Sequence, residues 1–333
     1  MSTNPISATI DFEKDGIHHG FLKVPYSSNE SAWGSIMIPL TVLKNGEGPS
    51  ALITGANHGD EYEGPIAIFD FAQSAKLSEI RGRVILIPAM NFPAFQAGNR
   101  VSPIDSLNMN RVFPGEPRGT VTQIIANYFS QTLLPMSDWV LDIHSGGKTL
   151  EFVPFAACHR LPKKELEIRC EEGMKAFGAP YQLKLLEIDA NGMYDTQAES
   201  MERVFVTTEL GGRGTTTPHT VEIAKRGLKN FLIHANILTG ELTPSPTPPV
   251  VLDMPDDRSF LFSEHVGILE PFAALGEIVN KGDLLVRIYS MERTGIPPYE
   301  YHAPRDGMVI SRHAPSVVRM GDCLNVIAEV VES

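Results

Sequence analysis

Cysteine is scarce in this chain: three in 333 residues, Cys158, Cys170 and Cys323. An odd number without CxxC spacing argues against a disulfide framework and against a thiolate metal site. No apolar run is long enough to suggest a membrane span, which needs about 18 or more residues. Met1 to Gly16 shows no basic stretch followed by an apolar one. No secretory leader is therefore expected, and the cytoplasm is the default location. Basic residues are outnumbered, 28 against 40 acidic ones, for a net charge of −12. No basic block stands out, which argues against nucleic acid as a partner. A negative surface suits solubility and weakly favours cationic or zwitterionic ligands. A GxSxG nucleophile turn is also missing. Ser145-Gly146-Gly147 does not supply one, which argues against a serine hydrolase.

Apolar residues make up 42% and charged residues 20%, as in a soluble globular protein. The length suits one large unit plus a smaller one. Short apolar runs predict strands at Gly34–Val42, Ala51–Gly55, Val84–Pro88, Trp139–Ile143 and Val204–Glu209. Helical patterns fall at Pro65–Leu77, Val121–Leu134, Pro162–Phe177 and Pro218–Leu238. The last has a start signal in Thr217, Pro218 and Glu222. Strands alternating with helices predict an α/β sheet covered on both faces. Ligands of such sheets gather beyond the carboxyl ends of the strands.

Thr243 to Pro249 holds four prolines in seven residues, which reads as a linker. No helix is expected beyond it. Short apolar runs between Gly and Pro predict a small all-β unit over 250–333, after an α/β unit over 1–242. The tail repeats itself. Gly267-Ile268-Leu269-Glu270 leads to Gly282-Asp283-Leu284-Leu285, and Gly307-Met308-Val309-Ile310 leads to Gly321-Asp322-Cys323-Leu324. This resembles the paired half-repeats of a biotinyl/lipoyl-type β-sandwich. Carriers of that type present a Lys at a hairpin tip, whereas Ser290 to Gly295 offers none, so a carrier or binding module is disfavoured.

Two histidines and a carboxylate stand at or just beyond predicted strand ends. His58-Gly59-Asp60-Glu61 follows Ala51–Gly55, and His144 ends the run from Trp139. A His and a Glu three residues apart can turn to one metal. Two His, one Glu and an open fourth position describe a catalytic zinc site. Asp142 is a candidate to orient a ligand. HxxE alone also fits a solvated loop. Glu209 closes the run from Val204 and precedes Gly211-Gly212, so it reads as a general base or as a surface carboxylate before a turn. Arg100, Asn110 and Arg111 lie in a long connection rich in Asn and Pro. Guanidinium groups suit carboxylates and oxyanions, though a lone Arg also fits a surface ion pair. Tyr194, Asp195 and Arg203 lie in a stretch read as substrate-facing, with no pattern to fix a role. His18-His19 reads as a solvated pair. His159, His219, His234, His265, His302 and His313 read as surface or locally bonded residues.

In order and spacing, His58-x-x-Glu61, Asn110-Arg111, His144 and Glu209 resemble the succinylglutamate desuccinylase/aspartoacylase family, over essentially the whole chain. The chain looks most like its ectoine-utilisation branch, the Nα-acetyl-L-2,4-diaminobutyrate deacetylases. The resemblance implies a zinc-carboxypeptidase-like mixed sheet flanked by helices, with a small barrel-sandwich-like β unit. It implies one Zn²⁺ per chain on His58, Glu61 and His144, and Glu209 as general base. It further implies Asn110 and Arg111 on the substrate α-carboxylate and Arg100 on the scissile amide oxygen. The expected substrate is a small zwitterionic or anionic N-acyl amino acid. Aspartoacylase- or succinylglutamate-type deacylation and a zinc carboxypeptidase are the alternatives. A substrate ammonium would need an acidic pocket residue, which no motif names. A homodimer is a guess that no residue supports.

Overall fold

Alternation on strands buried from both sides decides the architecture. The computed structural model describes residues 3–331. The outer ends of the two expected units, 1–2 and 332–333, lie outside the described residues. In the run after Ser50, Ala51 and Ile53 join one buried cluster and Leu52 another. Such a strand needs cover on both faces.

The large sheet is mixed and has fifteen strands. Between the short end strands Ser7–Ala8 and Ile278–Val279, its path runs through eleven longer ones. They are, in spatial order, β1 (Gly16–Pro25), β2 (Ser35–Asn45), β4 (Gly82–Ile87), β3 (Ser50–Gly55), β5 (Trp139–His144) and β8 (Val204–Glu209). There follow β6 (Phe155–His159), β7 (Tyr181–Leu185), β9 (Val250–Asp253), β11 (Cys323–Val330) and β10 (Gly307–His313). One face carries α1 (Glu63–Ser74), α4 (Lys164–Phe177) and α6 (Pro218–His234). The other carries α3 (Val121–Tyr128) and α5 (Tyr194–Ser200). A short α2 (Phe92–Ala97) follows β4. No described helix is long and apolar enough to cross a membrane.

Strands β4, β3, β5 and β8 are mutually parallel. The chain leaves β3 for β4 on one side and later for β5 on the other. That reversal opens a crevice at the carboxyl ends, where ligands of such sheets bind.

The expected elements are present with shifted ends. Thr217 Oγ1 accepts from Thr220 N at 3.1 Å and Pro218 follows, so α6 starts where the sequence signals it. Its partner is Thr220, not Glu222. The helix stops at His234, short of Leu238, because Asn236 turns left-handed at φ 58°. Helix α3 continues into a π-helical turn at Phe129–Leu133. Strands β1, β6 and β7 and helices α2 and α5 were not anticipated. Each is short or has polar residues interrupting its apolar pattern.

Beyond the proline-rich segment the described chain holds strands and one 3₁₀ turn, Asp257–Ser259. The repeat folds into two interlocked halves. Val279 in the first copy pairs with Gly307 at the start of the second, and Val318 in the second pairs with Gly267 at the start of the first. Each Gly-Asp turn has the same construction. Gly282 and Gly321 take φ of 95° and 90°, which favours glycine. Asp283 accepts from Asn280 N at 2.7 Å and Asp322 from Arg319 N at 2.8 Å. The strands Gly267–Pro271, Leu284–Tyr289, Tyr299–His302 and Val317–Val318 form a second, antiparallel sheet. Leu285, Ile288, Val309, Leu324 and Ile327 fill the core of this region. The region is not detached: β11 pairs with β9, and β10 with Leu150–Phe152.

Candidate metal centre and active site

The crevice collects the residues the sequence singled out. After β3, Ala56 takes φ 49° and bends the chain back over the sheet. For a non-glycine residue this is a strained conformation, of a kind that clusters at functional sites. Gly59 then passes so close to α2 that a Cβ there would lie 2.0 Å from the Ala94 carbonyl carbon. No other residue fits, which explains the glycine between His58 and Glu61. Strand register supplies the opposite wall, because His144 and Glu209 are direct neighbours across β5 and β8.

Glu61 is the hub. Its Oε1 lies 2.8 Å from His58 Nδ1 and its Oε2 lies 2.8 Å from His144 Nδ1. Ser145 N also donates to Oε2, at 3.1 Å, and Arg100 Nη1 stands 3.6 Å from Oε1. Glu61 is 2% exposed. Burial opposes its charge, yet the two imidazoles hold its carboxyl well below the usual range. The far nitrogens of both rings are engaged elsewhere. His58 Nε2 is 3.1 Å from Asn108 Oδ1, and His144 Nε2 is 2.7 Å from Asp142 Oδ2. Thr54 and Asn57 donate to Asp142 in turn, at 2.7 and 3.2 Å. Burial and the Arg100 charge lower the pKa of His58. Burial works the same way on His144, but Asp142 and Glu61 outweigh it and raise that ring well above its ordinary value.

This donor set suits a metal ion. One atom each from His58, Glu61 and His144 lies within 4.8 Å of the others. With Nε2–H donated to Asn108 and Asp142, both Nδ1 atoms can face a cation. Zinc-bound histidines are oriented by acceptors in this way. Glu209 flanks the cluster, and its Oε2 is buried without a hydrogen-bond partner. Burial and the nearby Glu61 charge push its pKa well above the carboxylate range.

The remaining expected residues divide. Asn110 is buried, and its Oδ1 accepts from Tyr194 N at 2.9 Å. Arg111 is exposed and donates from Nη1 to the Asn110 carbonyl at 2.7 Å. Tyr194 does not face a ligand. It is fully buried in a ring cluster with Phe113, Phe129 and Phe205. The sequence reading missed Asn108, Thr54 and Asn57, the residues behind the histidines. Asn108 lies in the Asn-rich stretch already noted; nothing marks the other two. His18 and His19 lie on β1, with bonds to the Asp15 carbonyl and to Thr41. His159 is not a surface residue: it is 9% exposed and surrounded by carboxylates.

The profile of the succinylglutamate desuccinylase/aspartoacylase catalytic domain matches residues 47–235. The N-alpha-acetyl-L-2,4-diaminobutyric acid deacetylase of Halomonas elongata is 53% identical over 330 residues, which is 99% of this chain and 96% of that protein. The product-bound ectoine utilization protein EutE (DoeB) of Ruegeria pomeroyi superposes with a TM-score of 0.97 at 56% identity, covering 99% of this chain and 100% of that one. A succinylglutamate desuccinylase structure from Silicibacter sp. TM1040 gives 0.96 at 56% identity, with the same coverage.

Proposed function

This chain belongs to the succinylglutamate desuccinylase/aspartoacylase family, and from that premise we propose that it is a zinc-dependent deacetylase. Its substrate is Nα-acetyl-L-2,4-diaminobutyrate, which it hydrolyses to diaminobutyrate and acetate in ectoine degradation. One observation carries the reading: a Glu61 carboxylate bridging two imidazoles, with Glu209 registered beside His144. The 53% identical relative named as this deacetylase supports the choice of substrate.

In this reading His58, Glu61 and His144 hold one Zn²⁺. The ion would supply Lewis acidity, making water nucleophilic near neutral pH. Glu209, registered beside His144 with its Oε2 unpartnered, then acts as general base. It removes a proton from the attacking water as the oxygen bonds to the acyl carbon. Arg100, 3.6 Å from Glu61, offers its guanidinium to the developing oxyanion. The C–N bond breaks, Glu209 returns its proton to the departing amine, and acetate remains. Asn110 has its Oδ1 fixed by Tyr194 N, which leaves its Nδ2 donors for the substrate carboxylate beside Arg111. Holding that end aligns the amide with the metal.

We also assign residues 1–242 to a zinc-carboxypeptidase-like catalytic unit and 250–333 to a β unit of biotinyl/lipoyl-like half-repeats. The interlocked pairings of the repeat support the second assignment. The test is hydrolysis by the zinc-loaded protein of acetyl-, succinyl- and aspartyl-type N-acyl amino acids. Acetyl-diaminobutyrate should be preferred. A preference for succinylglutamate would favour the reading suggested by the 56% identical desuccinylase.

A further inference from the structure

A second cluster lies on the same face of the sheet as Glu209. Thr207 is registered with Ala157, and Glu209 with Phe155. These residues share one face, and so does His159, two positions beyond Ala157. The level of His159 is about 13 Å along the strands from Glu209. Around His159 stand Glu187, Asp195 and Glu199. His159 Nδ1 is 2.9 Å from Glu199 Oε1, and Nε2 is 3.8 Å from Glu187 Oε1. One atom each of His159, Glu187 and Asp195 lies within 4.8 Å of the others.

Carboxylates outnumber cationic groups in this cluster. Three carboxylates surround one imidazole. Asp195 is 6% exposed, and burial, with the charges of Glu187 and Glu199, pushes its pKa to about 6. Burial disfavours charge on His159 too, yet the Glu187 and Glu199 carboxylates beside it raise that ring well above its ordinary value. His159 Nε2 nevertheless has no hydrogen-bond partner, although the residue is 9% exposed. Three carboxylates facing one imidazole leave acceptor capacity that a further donor can fill.

We infer that the Asp195 and Glu187 carboxylates beside His159 receive the side-chain ammonium of the substrate and set its specificity. This inference rests on the N-acyl diaminobutyrate reading above. An ammonium donates to several acceptors at about 2.8 Å, which places those acceptors about 4.5 Å apart. The three atoms lie within 4.8 Å of one another, which accommodates that spacing. The pocket is joined to the proposed carboxylate clamp through the backbone. Phe113 N donates to the Gly192 carbonyl at 2.9 Å, and Tyr194 N, next to Asp195, donates to Asn110 Oδ1 at 2.9 Å. The two charged ends of a diaminobutyrate would thus be read by neighbouring segments.

The test compares Nα-acetyl-diaminobutyrate with Nα-acetyl-2-aminobutyrate, which lacks the ammonium, on the zinc-loaded full chain. It is paired with melting-temperature shifts given by diaminobutyrate and 2-aminobutyrate. The wild type should favour the cationic substrate in kcat/KM by about 30-fold or more. Asp195→Asn and Glu187→Gln should each reduce that preference at least about tenfold and abolish the melting shift given by diaminobutyrate. Equal losses on both substrates, with that shift retained, would overturn the pocket. So would a second zinc equivalent present in the wild type and absent from Asp195→Asn. If the wild type hydrolyses neither substrate, the deacetylase reading fails. The melting shift then decides the pocket alone: its loss in the variants supports it, and its absence from the wild type sinks it. Glu187 is only partly buried, so Glu187→Gln keeps the test open if Asp195→Asn does not fold.

Discussion

The cluster at His58, Glu61 and His144 and the one at His159, Glu187 and Asp195 both gather histidine and carboxylate atoms within 4.8 Å of one another. Their charge balance differs. In the first, one carboxylate meets two imidazoles and Arg100, and each imidazole has an acceptor behind it. In the second, three carboxylates share one imidazole, and an imidazole nitrogen is left without a partner. The first is a set of lone pairs held ready for a divalent ion. The second is an excess of negative charge that a monovalent cation can balance. Residue lists alone would call both metal sites, whereas charge balance and the atoms behind the ligands separate them.

Removing a ligand breaks the comparison most severely. His58→Ala or His144→Ala should drop zinc from one per chain to near zero, read by elemental mass spectrometry, and abolish hydrolysis. Undiminished zinc in either variant would remove that residue from the centre. Glu209→Gln should keep its zinc and lose about 10²–10⁴-fold in kcat. If activity persisted near the wild-type level, the base would have to be sought elsewhere. A smaller effect is expected behind the ligands. Asn108→Ala takes away the acceptor at His58 Nε2 and should weaken zinc binding by about 10–100-fold in a chelator competition. Unchanged affinity would mean that Asn108 only shapes its turn.

The first site was legible in the sequence because its residues end or closely follow apolar runs. His144 closes β5, Glu209 closes β8, and His58 follows β3 directly. A parallel sheet brings such ends to one edge whatever lies between them. The second cluster was not legible for the same reason in reverse. His159 ends a five-residue strand that the sequence reading missed, Glu187 lies in a loop, and Asp195 opens a seven-residue helix. No period joins these positions. They meet across separate segments, with β6 antiparallel to β8 and His159 four residues along it from the level of Glu209. The detail inside the first site was hidden as well. Thr54 and Asn57 carry no motif, and their partnership with Asp142 exists only after β3 and β5 pair. In the C-terminal region the repeat was visible, but its exchange of strands between copies and its joining to β9 were not.

The smallest expected effect separates the clusters by stability. Asp195 has a folded pKa of about 6, raised by burial and by Glu187 and Glu199, against about 4 in an unfolded chain. Between those values the folded protein holds a proton that the unfolded chain has released. Stability therefore falls as pH climbs from about 4 to about 6, and the full cost is present above that window. The cost is at most about 3 kcal/mol, less whatever the neighbouring His159 offsets. Asp195→Asn should accordingly raise the melting temperature of the ligand-free protein at pH 8, with the gain shrinking toward pH 4. Diaminobutyrate should do the same for the wild type by supplying the missing charge. A variant that melts lower than the wild type at pH 8 would show Asp195 to be already compensated within the fold, and the second cluster would then resemble the first.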